Sequence, residues 1–432
     1  MTILIRNGII VDTEPEPVVI GPADVRIEDG KIAEVGPGLA DVPGGEVIDA
    51  SGRIVLPGFV DTHRHTWQAG LRAIEPDMTF GRYFQRVLRE LAPAYRPDDI
   101  YACNLAGALE CLDAGITTLV DWSHMRPTRE RTDAAVRALR DSGVRAVFGY
   151  CLGDSPQDLA SEGRRVFDEH FGTAGGLVSM MIAALGPEIA GAEHVLDEWR
   201  LARDLGLPVT AHLGGGSPES ATEGLDFLRV NGLLETPTMF VHANHYDDDQ
   251  FKLIAETGGG VSVTPVDEMT LGVGYPVTGR ARAAGAPVSL GADTVTCGPG
   301  DMFSLMRAAF TLERGRPDGA GRDFSTKDAL RVATIEGARV AGLGDVTGSL
   351  RPGKQADLVL LRTDTLGMAA AHDPIGAVVL NADTSAVDTV LVAGRVVKRD
   401  GRLLHHDVAA VLASLAETAQ AVTVGAVTAV SA

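Results

Sequence analysis

Two histidines one residue apart, His63 and His65, follow the apolar run Ile54 to Val60, and Asp293 follows another, Val288-Ser-Leu-Gly-Ala. Side chains alternate along an extended segment, so residues i and i+2 share a face and the two imidazoles point the same way. Imidazoles so placed can share one metal ion. The pair alone decides little, because 11 histidines in 432 residues give a His-x-His by chance roughly once in four such chains. Its weight comes from where the other polar residues fall.

His212 follows Val209-Thr-Ala and His242 follows Met239-Phe-Val, so each also stands at the end of a short apolar run. His63, His65, His212 and Asp293 make a ligand set for one Zn2+, with Fe2+ as the second choice, and leave a position for water. Such an ion lowers the pKa of that water toward neutrality and supplies hydroxide. Asp293, hydrogen-bonded to the same water, takes its proton and passes it to the leaving group. His242, beside the metal rather than on it, polarises a carbonyl or a ring nitrogen. His124, at the end of Asp121-Trp-Ser-His, lines the same pocket, and Trp67 and Trp122 offer flat faces to a planar substrate. Each residue has a structural alternative: a core histidine for His212, a turn or cap for Asp293, plain packing for the tryptophans. Cys297 reads as a wall rather than a nucleophile, and His245 as support for the end of the sixth run.

Eight runs carry these residues: 54–60, 116–121, 143–151, 177–185, 207–213, 238–243, 260–264 and 287–292. Amphipathic stretches lie between them. From Asp98 to Leu112, for example, apolar residues recur at Ile100, Leu105, Leu109 and Leu112, with Asp98 as the expected cap and Gly115 after the end. The same grammar recurs at 192–205, 247–257 and 300–314. Eight strand–helix units in about 290 residues predict an α/β fold, a closed (β/α)8 barrel, with an open doubly wound sheet as the lesser alternative. The barrel's active site lies at the C-terminal ends of its strands, where all five residues converge. Residues 1–56 and 348–403 read as antiparallel β structure pairing into one small sandwich. Residues 57–347 are then the barrel and 404–432 a helical tail able to pack on a neighbouring subunit, in a homodimer or larger homo-oligomer.

A formal charge of −20 argues against nucleic acid and anionic membranes as partners, and favours a small, neutral or cationic substrate. The four cysteines, Cys103, Cys111, Cys151 and Cys297, form no C-x-x-C pair and fit reduced thiols in a cytoplasm. The opening Met-Thr-Ile-Leu-Ile-Arg-Asn-Gly is too short an apolar run for a signal peptide, and no eighteen consecutive apolar residues occur. A cytoplasmic location is expected. Gly348-Ser-Leu-Arg-Pro-Gly-Lys-Gln imitates a phosphate-binding loop, but Gln355 replaces the required Ser or Thr, so a turn is expected there.

Pro57-Gly-Phe-Val-Asp-Thr-His-Arg-His, Val241-His-Ala-Asn-His-Tyr-Asp-Asp, Leu290-Gly-Ala-Asp with Gly300-Asp-Met-Phe, and Gly348-Ser-Leu-Arg-Pro-Gly-Lys-Gln-Ala-Asp-Leu-Val-Leu together resemble the amidohydrolase superfamily. The likeness is to its cytosine, guanine and adenosylhomocysteine deaminase and chlorotriazine hydrolase branch. The resemblance implies a single metal held by His63, His65, His212 and Asp293, with His242 near the substrate. The run Leu177 to Leu185 carries no lysine of the kind that binuclear members use. Gln68 and Arg72 resemble positions that oxopurine and triazine enzymes use to hold a ring. Deaminases of this branch carry His-x-x-Glu on the fifth strand, the glutamate moving protons. Here the sequence is His212-Leu-Gly-Gly-Gly-Ser-Pro-Glu, which leaves Glu188 and Glu219 as candidate substitutes. The expectation is a metal-dependent hydrolase acting through metal-bound hydroxide on a C–N bond of a small nitrogen heterocycle, by deamination or ring-amide hydrolysis. A non-hydrolytic lyase or cyclase on the same scaffold is the alternative, and a barrel that binds a ligand without turnover the third reading.

Overall fold

Eight runs of aliphatic and β-branched residues form strands: Phe59–Arg64, Ile116–Ser123, Arg145–Tyr150, Val178–Ala184, Val209–Leu213, Thr238–His242, Gly260–Val263 and Val288–Leu290. They hydrogen-bond in chain order. A parallel bridge between Arg64 and Asp293 brings the last back to the first: the Asp293 N–H donates to the His63 carbonyl at 2.8 Å and the His65 N–H to the Asp293 carbonyl at 3.0 Å. The result is the expected (β/α)8 barrel in a computed structural model that describes residues 2–124, 128–151, 153, 159–173 and 175–430. Almost every strand residue is buried, as in a parallel sheet covered on both faces.

The chain divides into two compact units. One comprises Met1–Asp61, Glu110–Thr118 and Asp301–His406; the other comprises Thr62–Leu109, Leu119–Gly300 and Asp407–Ala432. All the candidate site residues belong to the second.

In the first unit the expected antiparallel sandwich is a nine-stranded mixed sheet. Two of its pairings are parallel, Ile3 to Arg6 with Glu46 to Asp49, and Ile9 and Ile10 with Ile54 and Val55. The sheet curls on itself: Lys31 bridges Gln355, a Cβ on Gly394 would lie 2.7 Å from the Gly30 Cα, and Ile5, Val25, Ile27, Leu358, Leu360 and Leu391 share one core. The sequence run 54–60 is two strands rather than one. Arg53–Pro57 pairs with Leu358–Arg362 in the mixed sheet, and the barrel strand starts at Phe59, because Pro57, which has no N–H, cannot extend the ladder.

The helices fall where the periodicity puts them, at Pro97–Asp113, Ala192–Leu205, Asp248–Glu256 and Met302–Arg314. Asp98 is not a cap. Pro97 takes the first helical position, which suits its fixed φ and missing N–H, and Asp99 reaches back to accept the Arg96 N–H at 2.8 Å. The tail is a helix, Val408–Val430. It packs on Thr66–Leu71 and Phe84–Leu91, and its Thr418 hydroxyl bonds Asp99 at 3.2 Å. By length and composition the span Val408–Gly425, with a mean hydropathy of 1.4, is apolar enough to cross a membrane. Glu417 and several hydroxyl residues interrupt it, so no run of eighteen consecutive apolar residues marks it in the sequence.

Candidate active site

The strand ends bring the five residues together. Register pairs His212 with Val241 and Leu213 with His242, and the bridge at Arg64 sets Asp293 against His63 and His65. Ligand atoms of His63, His65 and His212 lie within 4.8 Å of one another, as do those of His63, His242 and Asp293. Asp293 Oδ1 is 3.4 Å from His63 Nε2 and 3.2 Å from His65 Nε2, while Oδ2 is 3.8 Å from His242 Nε2. His242 and Asp293 both hold left-handed backbone, φ 74° and 56°, a strain that persists where the surroundings fix it.

The charge states suit a cation. Burial pushes His63 down to about 4, against the opposing pull of Asp293. Burial also drives His212 well down, reinforced by the neighbouring imidazoles. Both rings are therefore neutral near pH 7, the form that binds metal. Burial raises the carboxyl of Asp293, but the adjoining imidazoles of His63 and His65 outweigh it and hold it well below the usual range. His65 Nδ1 lies 2.7 Å from the Trp122 carbonyl, so its proton sits there and Nε2 turns a lone pair toward Asp293. A lone pair and a carboxylate oxygen at 3.2 Å repel unless a cation joins them. A divalent metal held by His63, His65, His212 and Asp293 meets that demand.

His242 differs. Burial lowers it, but the Glu268 hydrogen bond and the charges of Asp293, Glu268 and Glu188 outweigh that and raise its pKa. Its Nδ1 faces Glu268 Oε1 at 3.4 Å and the Thr264 hydroxyl at 3.2 Å.

The remaining sequence candidates scatter in role. His124 stacks on His65 with ring centroids 4.0 Å apart and accepts from Trp67 Nε1 at 3.4 Å. Trp67 is buried edge-on to Tyr95, and Trp122 packs 4.4 Å from His212. Gln68 is fully buried: its amide nitrogen donates to the Tyr83 hydroxyl at 2.7 Å and its oxygen accepts from Thr294. Arg72 is exposed at the end of the turn Thr66–Leu71. Glu188 accepts backbone N–H groups from Gly214 and, at 3.2 Å, from Gly216, so it anchors the triple-glycine loop. Glu219 is exposed in the first turn of the helix Pro218–Val230. The His245 N–H donates to the Gly214 carbonyl at 2.9 Å. Burial pushes the Cys297 thiol up to about 12, which removes it as a nucleophile.

Asp267 and Glu268 were missed in the sequence reading. Both are buried at the start of the helix Pro265–Leu271, immediately beyond the seventh strand and hence at the active end of the barrel. Asp267 Oδ2 accepts the Thr294 N–H at 2.7 Å, and a Cβ on Gly298 would lie 2.1 Å from its Oδ1. It braces the loop that carries Asp293. Burial and the charge of Asp293 push Asp267 well up.

The profile of the amidohydrolase family matches residues 54–397. The chain belongs to the amidohydrolase family. It is thus a hydrolase of carbon–nitrogen bonds other than peptide bonds. Among its relatives is a 5-methylthioadenosine/S-adenosylhomocysteine deaminase of Symbiobacterium thermophilum, 29% identical over 421 residues, covering 92% of this chain and 94% of that protein. A 5'-deoxyadenosine deaminase of Methanothermobacter thermautotrophicus is 29% identical over 413 residues, covering 92% and 95%. The fold is shared with a zinc-bound adenosine deaminase from Xanthomonas campestris, at TM-score 0.89 and 24% identity over 98% of both chains. It is shared equally with a zinc-complexed atrazine chlorohydrolase from Arthrobacter aurescens, at TM-score 0.89 and 22% identity over 96% of this chain and 100% of that one. This amidohydrolase has Gly215 three residues after His212, where the branch pattern places its glutamate. The nearest atoms to a Cβ there would be Val273 at 3.6 Å and His242 from 3.8 Å, and as glycine the position brings no carboxylate to the space beside His242.

Proposed function

We propose that this amidohydrolase hydrolyses a C–N bond of a small nitrogen heterocycle, either releasing an exocyclic amine by deamination or opening a ring amide. The observation that carries this is the convergence of His63, His65, His212 and Asp293 on one site, with His242 facing it. The names of the two relatives, deaminases of adenosine derivatives, support an exocyclic amine on a planar ring. One ion per chain would be held by His63, His65, His212 and Asp293, with Zn2+ first and Fe2+ second. When bound, it supplies Lewis acidity and makes water acidic near neutral pH. Asp293 takes a proton from the attacking water and returns it to the leaving nitrogen. His242 Nε2 holds a hydrogen bond with the substrate, accepting from a ring N–H when the imidazole is neutral and donating to a ring nitrogen or carbonyl oxygen when it is protonated, and His124 forms part of the wall. Oxygen enters the product as the C–N bond breaks and the amine leaves with the proton.

Among the described residues of the site, none favours elimination or cyclisation. The exposed apolar side chains of Val408, Leu412 and Val424 on the last helix support a homo-oligomer, which light scattering of the purified protein tests. The deciding experiment combines metal analysis with turnover of aminopurines, pterins, pyrimidines and triazines in 18O-labelled water. One metal per chain and labelled product are expected. Product formed without label would overturn hydrolysis.

A further inference from the structure

Glu268 is among the most enclosed carboxylates in the chain, with 0% exposure. Its Oε1 accepts the Thr264 N–H at 2.8 Å and its Oε2 accepts from Asn244 Nδ2 at 3.1 Å. Asn244 is itself tied to the Tyr275 carbonyl at 3.1 Å. A carboxylate gripped from two sides cannot swing away, and the remaining direction of Oε1 faces His242 Nδ1 at 3.4 Å. Each oxygen of Glu268 already accepts an N–H, so this side chain acts as an acceptor and the imidazole presents N–H to it. The opposite nitrogen, Nε2, then faces Asp293 Oδ2 at 3.8 Å.

Resting on the proposed function, we propose that Glu268 is the positioning residue for His242: it fixes the ring by accepting Nδ1–H and so directs Nε2 at the substrate. A ring free to flip would present carbon or the wrong nitrogen to the reacting centre, and the tautomer of an imidazole is set by the bond its other nitrogen makes. The role matters more in this chain because Gly215 contributes no side chain beside His242. The interaction of His242 with the substrate then depends on how the ring is held from behind.

The test is the tautomer of His242, read by 15N NMR of histidine-labelled, metal-loaded enzyme and assigned by its loss in His242→Asn. The wild type is expected to carry the proton on Nδ1. Glu268→Ala should mix the tautomers and lower kcat about 10- to 100-fold with KM within about threefold, whereas Glu268→Gln, which keeps an acceptor oxygen, should recover the Nδ1–H form. Thr264→Val removes only the hydroxyl and should retain it. A neutral wild-type ring that carries its proton on Nε2 overturns the proposal whether or not the alanine variant folds. So does Glu268→Ala with an unchanged tautomer and kcat, or Thr264→Val with a lost one. Because the tautomer is read without turnover, failure to find a hydrolysed substrate leaves this result standing apart.

Discussion

Asp293 must lie beside two imidazoles and still exchange a proton with water, and its backbone shows how it is held there. At φ 56° few residues are comfortable, and Asn is one of them. Asp293→Asn should therefore keep the barrel closed, with Tm within a few degrees, while kcat falls by about 10³-fold or more. Near-normal turnover in that variant would remove Asp293 from proton transfer. His63, His65, His212, His242 and Asp293 were legible because each terminates an apolar run, and a barrel collects strand ends at one face. Glu268 and Asp267 were not. Acidic residues in a first helical turn ordinarily serve the helix dipole, and nothing in Pro265-Val-Asp-Glu separates that use from a buried carboxylate behind a histidine. Glu188 and Glu219 were suggested by nearness in the chain to the fourth and fifth strand ends. In space one anchors a loop through two backbone amides and the other faces solvent.

Strands set the distances between these residues, and the tightest constraint falls where the last meets the first. A Cβ on Gly291 would lie 2.7 Å from the His63 Cβ and 2.8 Å from its carbonyl oxygen, closer than packed atoms allow. Gly291→Ala should thus cost about 1–3 kcal/mol of stability. It should also lower kcat at least tenfold, because the displaced strand carries Asp293 and pushes on His63. Denaturant unfolding and steady-state rates check the two effects together, and a stable variant with full activity would mean that this seam is slack. Periodicity placed seven of the eight barrel strands to within a few residues. It misjudged the run 54–60, where continuous hydrophobicity hides a change of sheet at Pro57 and Gly58. It also took for antiparallel a sheet with parallel pairs, because pairing direction depends on crossings such as residues 37–45 and not on the strand's own pattern.

At the scale of the molecule, the first unit is assembled from both ends of the chain, and one carboxylate ties them. Glu14 accepts from Lys354 Nζ at 2.8 Å and from the Ser349 hydroxyl at 2.8 Å, and pairs with Arg339 at 2.9 Å. Burial pushes its carboxyl up, but these hydrogen bonds and the charges of Lys354 and Arg339 outweigh that and hold it at about 2, below its ordinary value of 4.5. A carboxyl depressed in the folded state adds stability that is complete above its unfolded pKa and disappears as pH falls through the folded one. Glu14→Gln should then cost about 1–2 kcal/mol at pH 7, a figure reduced because part of the network faces solvent. The gap between variant and wild type should shrink between pH 4.5 and 2, since the wild-type carboxyl becomes neutral there too. Urea unfolding of both proteins at pH 7, 4 and 2.5 measures it. A gap independent of pH would mean that Glu14 joins the chain ends by shape and neutral hydrogen bonding, with its charge contributing nothing.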